Sequence, residues 1–249
     1  LTAYGPLTFD PAASGLHYGQ SIFEGFKAYR QPDGGVGLFR PQANALRLQS
    51  SARRLAMPEC PVELTLACAE ALVRQDRDWV PQAQGQSLYL RPLMIATESY
   101  LGVRAAREYL LLFIASPAGN YFSGGLRPVC VWLCEDYVRA VPGGTGAVKC
   151  AGNYAASLLA QEQAAREGCD QVVWLDALQH RDVEEMGGMN VFFVYRRGPE
   201  TTLVTPRLTG SLLPGITRDS LLTLARDRGW KTEERTMTVQ QWEQDARSG

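Results

Sequence analysis

Only three of the 25 basic residues in this sequence are lysine: Lys27, Lys149 and Lys231. Arginine serves everywhere else, and arginine neither forms imines nor sheds its proton readily, whereas lysine does both. Lys231, in the polar stretch WKTEER, reads as a solvated surface residue; Lys27, in EGFKAYR, reads as an outward-facing strand position. Lys149 lies in GGTGAVKCAGNYAAS, where its nearest charged neighbours along the chain are Arg139 and Glu162. A small, uncharged, glycine-rich setting is where a lysine amine loses basicity and becomes a nucleophile. Composition alone still slightly favours an ordinary snorkelling lysine in a loop. The nucleotide-binding alternative fails: a phosphate-binding loop needs Gly before the Lys and Ser or Thr after it, and here Val148 and Cys150 occupy those positions.

A lysine that works with pyridoxal phosphate needs partners. A carboxylate must keep the pyridine nitrogen protonated, backbone amides and a cation must take the phosphate, and a further anion site must hold the substrate carboxylate. Glu184-Glu185, in VEEMGGMNVFFVY, supplies the carboxylate. On an extended segment the two side chains point to opposite faces, so at most one faces a site and the other is most simply solvated. Gly215-Ile216-Thr217-Arg218 opens a helix whose N–H groups and dipole suit a phosphate, although LLPGITRDSLLTLA also reads as a plain capped amphipathic helix. The six cysteines form no CxxC pair and only His17 and His180 are histidines, so no metal site is expected. The cysteines read as free thiols of a reducing cytoplasm, with Cys130 and Cys134 on one buried face of a strand.

These residues need a scaffold. A chain of 249 residues allows one large domain or two smaller ones. A net charge of −1 points to no nucleic-acid or anionic-membrane partner, and no apolar run is long enough for a membrane helix. Strands are predicted over residues 22–30 and 36–40, with Pro32-Asp33-Gly34-Gly35 as the turn between them. Pro41 starts a helix with Ala45, Leu48, Ala52 and Leu55 on one face. A second helix is predicted over 62–79, and strands over 87–96, 109–115, 128–134, 171–176 and 189–195. Further helices are expected over 152–167 and 216–228, ended by Gly168 and Gly229. Thr238 and Gln241 form a T-x-x-Q capping box for a helix that is just beginning where the sequence stops, so trimmed termini are expected. The glycine- and proline-rich stretch 117–125 is the best interdomain break. The expectation is a mixed α/β (α+β) chain without regular βαβ alternation, with a smaller α/β domain over 1–117, a linker over 118–126 and a larger cofactor-binding domain over 127–249.

Five long segments go further: LHYGQSIFEGFKAYR, SLYLRPLMIATESYLGV, VKCAGNYAASLLAQEQAAREGCDQVVWLDA, VEEMGGMNVFFV and LTGSLLPGITRDSLL. In order and spacing they resemble the branched-chain aminotransferases of the fold-type IV group of pyridoxal-phosphate enzymes, over about residues 4–237. EEMGGMN resembles bacterial members more than animal ones, which tend to carry Thr where Gly188 stands. The resemblance implies a cofactor site between two lobes and a homodimer. It implies that Lys149 carries the cofactor and shuttles the substrate proton, that Glu185 partners the pyridinium, and that Tyr154 bonds the ring hydroxyl. It assigns the phosphate to Arg47 and to the amides of Ile216 and Thr217, and the substrate pocket to Tyr18, Phe23, Gly25, Tyr89, Arg91 and Tyr121. Tyr89 and Arg91 alternate on one strand and so share a face; Arg91 would take the distal carboxylate of glutamate. The implied reaction is reversible, ping-pong amino transfer from L-leucine, L-isoleucine or L-valine to 2-oxoglutarate. The alternatives are a D-amino-acid aminotransferase, an aminodeoxychorismate lyase or a non-catalytic relative; Tyr89-x-Arg91 argues against the first two and the intact Lys149, Glu185, Tyr154 and Arg47 against the third. Ala151 stands where a Gly is common. A Ser-Gly-Thr-Ala-like turn that helps hold phosphate lies beyond residue 249 in such proteins, so weak cofactor binding is expected of this span alone.

Overall fold

The computed structural model describes residues 1–119 and 127–248. The chain divides into two compact units: Leu1–Arg127 with Lys149–Ala151, and Pro128–Val148 with Gly152–Gly249. The three residues around Lys149 thus pack with the first unit, although the chain on either side of them belongs to the second.

The first unit is a five-stranded antiparallel sheet with helices α1 (Ser14–Tyr18), α2 (Pro41–Arg54) and α3 (Val62–Gln75). Its strands are β1 (Ser21–Phe23), β2 (Phe26–Arg30), β3 (Val36–Leu38), β4 (Ser87–Ala96) and β5 (Tyr109–Ala118). β4 is the spine: β5 runs along one edge, and β1 and β2 share the other. The single strand expected over residues 22–30 is therefore two, broken at Glu24-Gly25. The reason lies across the sheet. The Glu24 N–H donates to the Pro92 carbonyl at 2.9 Å, so the absent N–H of Pro92 would have pointed at this same break. Strand alternation places Leu88, Leu90, Met94 and Ala96 in the core and leaves Tyr89 and Arg91 on the other face. Phe26, Ala28, Ala69, Val73, Val80, Leu88 and Leu90 form one apolar cluster under α3. The helix expected over 62–79 ends at Gln75 and is followed by a single 3-10 turn, Arg77–Trp79.

The second unit holds two sheets. One orders β6 (Val131–Cys134), β7 (Gln171–Leu175), β8 (Val183–Met186) and β9 (Met189–Asn190), with β6 and β7 parallel and the rest antiparallel. The other orders β10 (Phe193–Arg197), β11 (Glu200–Thr205) and β12 (Lys231–Glu234). The helix expected over 152–167 is split into α4 (Ala151–Ala155) and α5 (Leu158–Arg166). Between them the Ser157 hydroxyl donates to the Tyr154 carbonyl at 2.7 Å, a local bond that competes with the helical ladder. α5 covers Val172 and Trp174 through Ala160 and Ala164. α6 (Ile216–Asp227) packs Leu222 and Ala225 on Leu203 of β11. Thr238 caps α7 (Val239–Ser248): its Oγ1 accepts the Gln241 N–H at 3.0 Å, while the Gln241 side chain turns to Asp245, so only half of the capping box forms.

The packing makes a checkable contrast. Leu90 is fully buried and Leu178 is 83% exposed. Leu90→Ala should cost about 2–5 kcal/mol in urea unfolding, and Leu178→Ala about 0.5 kcal/mol or less.

Candidate active site

Lys149 is fixed by its own backbone. Its N–H donates to the Ser51 hydroxyl at the end of α2 (3.0 Å), and its carbonyl accepts from the Phe23 N–H at the end of β1 (3.1 Å). Its amine lies 4.9 Å from the centre of the Phe23 ring. The Arg91 guanidinium lies over the same ring at 4.5 Å and donates to the Tyr89 hydroxyl at 3.0 Å. Gly25 makes room for this cluster: a Cβ there would stand 1.9 Å from the Tyr89 hydroxyl oxygen. Arg47 grips Glu24 with two bonds, Nε to Oε1 at 2.7 Å and Nη2 to Oε2 at 2.9 Å, and the Glu24 side chain is 1% exposed. Burial pushes the Lys149 amine below the ordinary lysine range, the Arg47 charge pushes the same way, and Glu24 opposes both. The result is an amine held toward its neutral, nucleophilic form. The Arg91 Nε is buried without a hydrogen-bond partner among the described residues, which leaves a cationic donor unsatisfied where an anion could serve it.

Glu185 is the centre of a second cluster, within the second unit. It is 3% exposed. Its Oε2 pairs with the Arg139 Nε at 2.7 Å, and its Oε1 accepts from Asn190 Nδ2 and from the Leu213 N–H, both at 3.0 Å. Asn190 also donates to the Leu213 carbonyl, and Arg139 donates to the carbonyls of Ser211 and Gly146. These bonds anchor the segment that leads into α6. Gly215 caps α6 and has no side chain with which to close its first turn; a Cβ there would meet Asn190 Oδ1 at 2.0 Å. Ile216 is half-buried and Thr217 exposed at this N-terminus. Tyr154 is half-buried, with its ring against Gly188, where a Cβ would stand 3.8 Å away. Upstream, Asn153 donates to the carbonyls of Thr145 and Val148, which pins the glycine-rich loop that delivers Lys149.

One expectation needs correction. Glu184 is not solvated: it is 7% exposed, and its carboxylate accepts from the hydroxyls of Ser211 and Thr209. β8 does send Glu184 and Glu185 to opposite faces, but the 209–213 segment covers the far face as well. Burial pushes the Glu184 carboxyl up, against the pull of its hydroxyl donors.

Phe23, Gly25, Arg47, Tyr89 and Arg91 are thus brought together with Lys149, and Ile216 is tied to Glu185 through the Leu213 segment. Tyr18 stands apart, exposed at the end of α1 with its hydroxyl donating to the Leu101 carbonyl. Tyr121 and most of the 118–126 stretch lie outside the described residues. Sequence reasoning missed Glu24, Ser51, Arg139, Asn153 and Asn190. Only Glu24 had a visible signal, an acid between apolar residues in IFEGF; the others matter through partners far away in sequence. Lys231 is exposed and pairs with Glu233, as its polar stretch suggested.

The family model for class IV amino-transferases matches residues 21–247. The chain belongs to the class IV aminotransferases. Within this family it is 63% identical over 247 residues to the branched-chain-amino-acid aminotransferase of Mycolicibacterium smegmatis, covering 99% of this chain and 67% of that one. Among solved structures it is similar to the T. thermophilus branched-chain amino acid aminotransferase with pyridoxamine 5′-phosphate, with a TM-score of 0.77, 30% identity, and coverage of 94% of this chain and 73% of that one. The same T. thermophilus enzyme has also been solved with N-(5′-phosphopyridoxyl)-L-glutamate and with 4-methylvaleric acid. The Escherichia coli enzyme gives a TM-score of 0.74 at 28% identity, covering 92% and 72% of the two chains. The residues of this class IV chain fit pyridoxal phosphate on their own terms. A lysine amine held toward neutrality, a buried carboxylate and a helix N-terminus without a side-chain cap are the donor set that cofactor requires.

Arg139→Met removes the cation paired with buried Glu185 and should cost about 3–5 kcal/mol in urea unfolding, recovered in part by adding Glu185→Gln. Lys149→Met should stabilise the cofactor-free protein at neutral pH. A lysine whose folded-state pKa is depressed carries its full penalty below that pKa and loses it as pH rises to the unfolded value. The gain from Lys149→Met should therefore shrink as the unfolding titration moves into the alkaline range.

Proposed function

We propose that the protein is a branched-chain-amino-acid transaminase that uses pyridoxal 5′-phosphate to move the amino group of L-leucine, L-isoleucine or L-valine reversibly to 2-oxoglutarate. The observation that carries this reading is the Lys149 amine, buried and lowered in basicity beside Phe23, Tyr89 and Arg91. The near-complete match of the chain to a branched-chain enzyme supports the substrate class.

When bound, the cofactor supplies a carbonyl that receives the amino group and a ring that draws electrons from the substrate α-carbon. Lys149 would hold the cofactor and would take the proton from the substrate α-carbon as a neutral base. Burial lowers its basicity, which favours the neutral form that step uses. Glu185 holds a proton on the pyridine nitrogen, and its bonds to Arg139, Asn190 and Leu213 fix where that charge sits. Tyr154 bonds the ring hydroxyl. Arg47 and the amides of Ile216 and Thr217 take the phosphate. Phe23 and Tyr89 form the wall for an aliphatic side chain, with Tyr18 and Tyr121 added by resemblance alone, and Gly25 admits the Tyr89 hydroxyl. Arg91 holds the distal carboxylate of glutamate and 2-oxoglutarate, which its unpartnered Nε supports. The first amino acid leaves as its 2-oxo acid before 2-oxoglutarate enters, so the kinetics are ping-pong.

The same proposal has the residues of both units serving one cofactor, with residues 1–117 as one domain, 118–126 as linker and 127–249 as the other. It also includes a cytoplasmic homodimer. The cysteines, none of them in a disulfide, support a reducing compartment. The exposed apolar side chains of Tyr18, Leu101 and Val103 support a surface that association would cover.

Borohydride reduction of the holoenzyme followed by peptide mapping should label Lys149, with L-leucine/2-oxoglutarate transamination measured on the same sample. Labelling at Lys27 or Lys231, or use of D-alanine in place of L-leucine, would overturn the reading. Arg91→Met should lower kcat/KM for 2-oxoglutarate by about 10–100-fold, the worth of a charged hydrogen bond. The value for 4-methyl-2-oxopentanoate should move far less, because that substrate has no distal carboxylate.

A further inference from the structure

Two cysteines lie apart from the residues assigned to amino transfer, at the same end of two parallel strands. Cys130 is exposed and directly precedes β6, and not, as the sequence suggested, on a buried strand face with Cys134. Cys169 is half-buried between Gly168, which ends the α5 turn, and β7. The backbone around both is held. The Asp170 N–H donates to the Cys130 carbonyl at 2.8 Å, the Cys130 N–H donates to the Asp170 carboxylate at 2.9 Å, and the Cys169 N–H donates to the Ala164 carbonyl at 2.8 Å. The two sulphur atoms stand 2.8 Å apart in a thiol–thiol hydrogen bond. The other cysteines differ: Cys60, Cys134 and Cys150 are buried, and Cys68 lies on α3 in the other unit.

A disulfide needs its sulphurs about 2.05 Å apart. Closing the gap asks for an adjustment of the two side chains and no rearrangement of the strands. Reach and access are therefore both present: Cys130 is exposed and Cys169 half-buried beside it.

We propose that Cys130 and Cys169 form a dithiol site that exchanges with low-molecular-weight disulfides and closes to an intramolecular disulfide. In the first step the Cys130 thiol gives its proton to solvent and its sulphur attacks one sulphur of the external disulfide. A mixed disulfide forms on Cys130, and the departing thiolate takes up a proton. In the second step Cys169 loses its proton and its sulphur attacks the Cys130 sulphur, which releases a second external thiol. The protein dithiol is oxidised by two electrons and the external disulfide is reduced to two thiols; excess external dithiol reverses both steps. The order follows from the environments. Cys169 is half-buried, and its thiol is pushed up to about 11 by the hydrogen bond to Cys130, then by burial and the charges of Asp170 and Glu167. Exposed Cys130 is the attacking sulphur and Cys169 the one that resolves. The ring so closed contains Lys149 and Tyr154, so the bond ties together the two ends of the segment that bears the reactive amine.

The test is to incubate the holoenzyme with excess glutathione disulfide at mildly alkaline pH, then denature, alkylate, count thiols and map peptides. Free thiols should fall from six to four, with a Cys130–Cys169 cross-linked peptide that dithiothreitol removes. Cys169→Ser should stop at a mixed disulfide on Cys130, and Cys130→Ser should form no cross-link while keeping transaminase activity. The proposal is overturned if all thiols survive in the wild type, if the cross-link joins any other pair, or if Cys130 stays unmodified in Cys169→Ser.

Discussion

The burial of one amine governs the first unit. An ammonium ion is costly to hold away from water, so the protein must either pair it or let it discharge. Around Lys149, burial and the Arg47 charge push toward the second. The carboxylate beside it, Glu24, is gripped at two points by Arg47, and Arg91 adds a further positive charge nearby. The lysine backbone is meanwhile tied to Ser51 and Phe23, which fixes the point from which the amine extends. Position and basicity are set by the same packing.

The second unit buries a carboxylate and surrounds it with donors. Glu185 is stabilised by a cation, an amide side chain and a backbone N–H. Each of those donors holds something else. Asn190 and Arg139 fasten the segment from Ser211 to Leu213, and that segment sets where α6 begins. Glu185 and the segment that leads into α6 are therefore held in one hydrogen-bond network. Buried Glu184 strengthens it from the opposite face of β8.

Glycine marks where atoms must come close. Gly25 admits the Tyr89 hydroxyl, Gly215 admits Asn190, and a Cβ on Gly146 would strike the Ser211 carbonyl at 2.0 Å. The shared property at these three positions is the absence of a side chain where another group has to pass, and backbone freedom plays no part in it. Pro92 acts in a similar negative way, since its missing N–H permits the break at Glu24-Gly25 that presents Phe23 to Lys149.

Sequence alone determined the elements with strong periodicity, because local patterns of burial need no knowledge of distant partners. β4 is found over the residues expected, and Ala45, Leu48 and Ala52 form the buried face of α2. The lysine was legible as an oddity of composition, and the chemical role proposed for it came from the order of five motifs. Tertiary structure alone decided the rest. No local pattern could reveal that Glu184 is covered, that Arg139 serves Glu185 from a distant point in the chain, or that Ser157 splits a helix. Nor could it reveal that Cys130 meets Cys169 instead of sharing a strand face with Cys134. A side chain's charge state and reactivity depend on what surrounds it in space, and those neighbours are chosen by the fold.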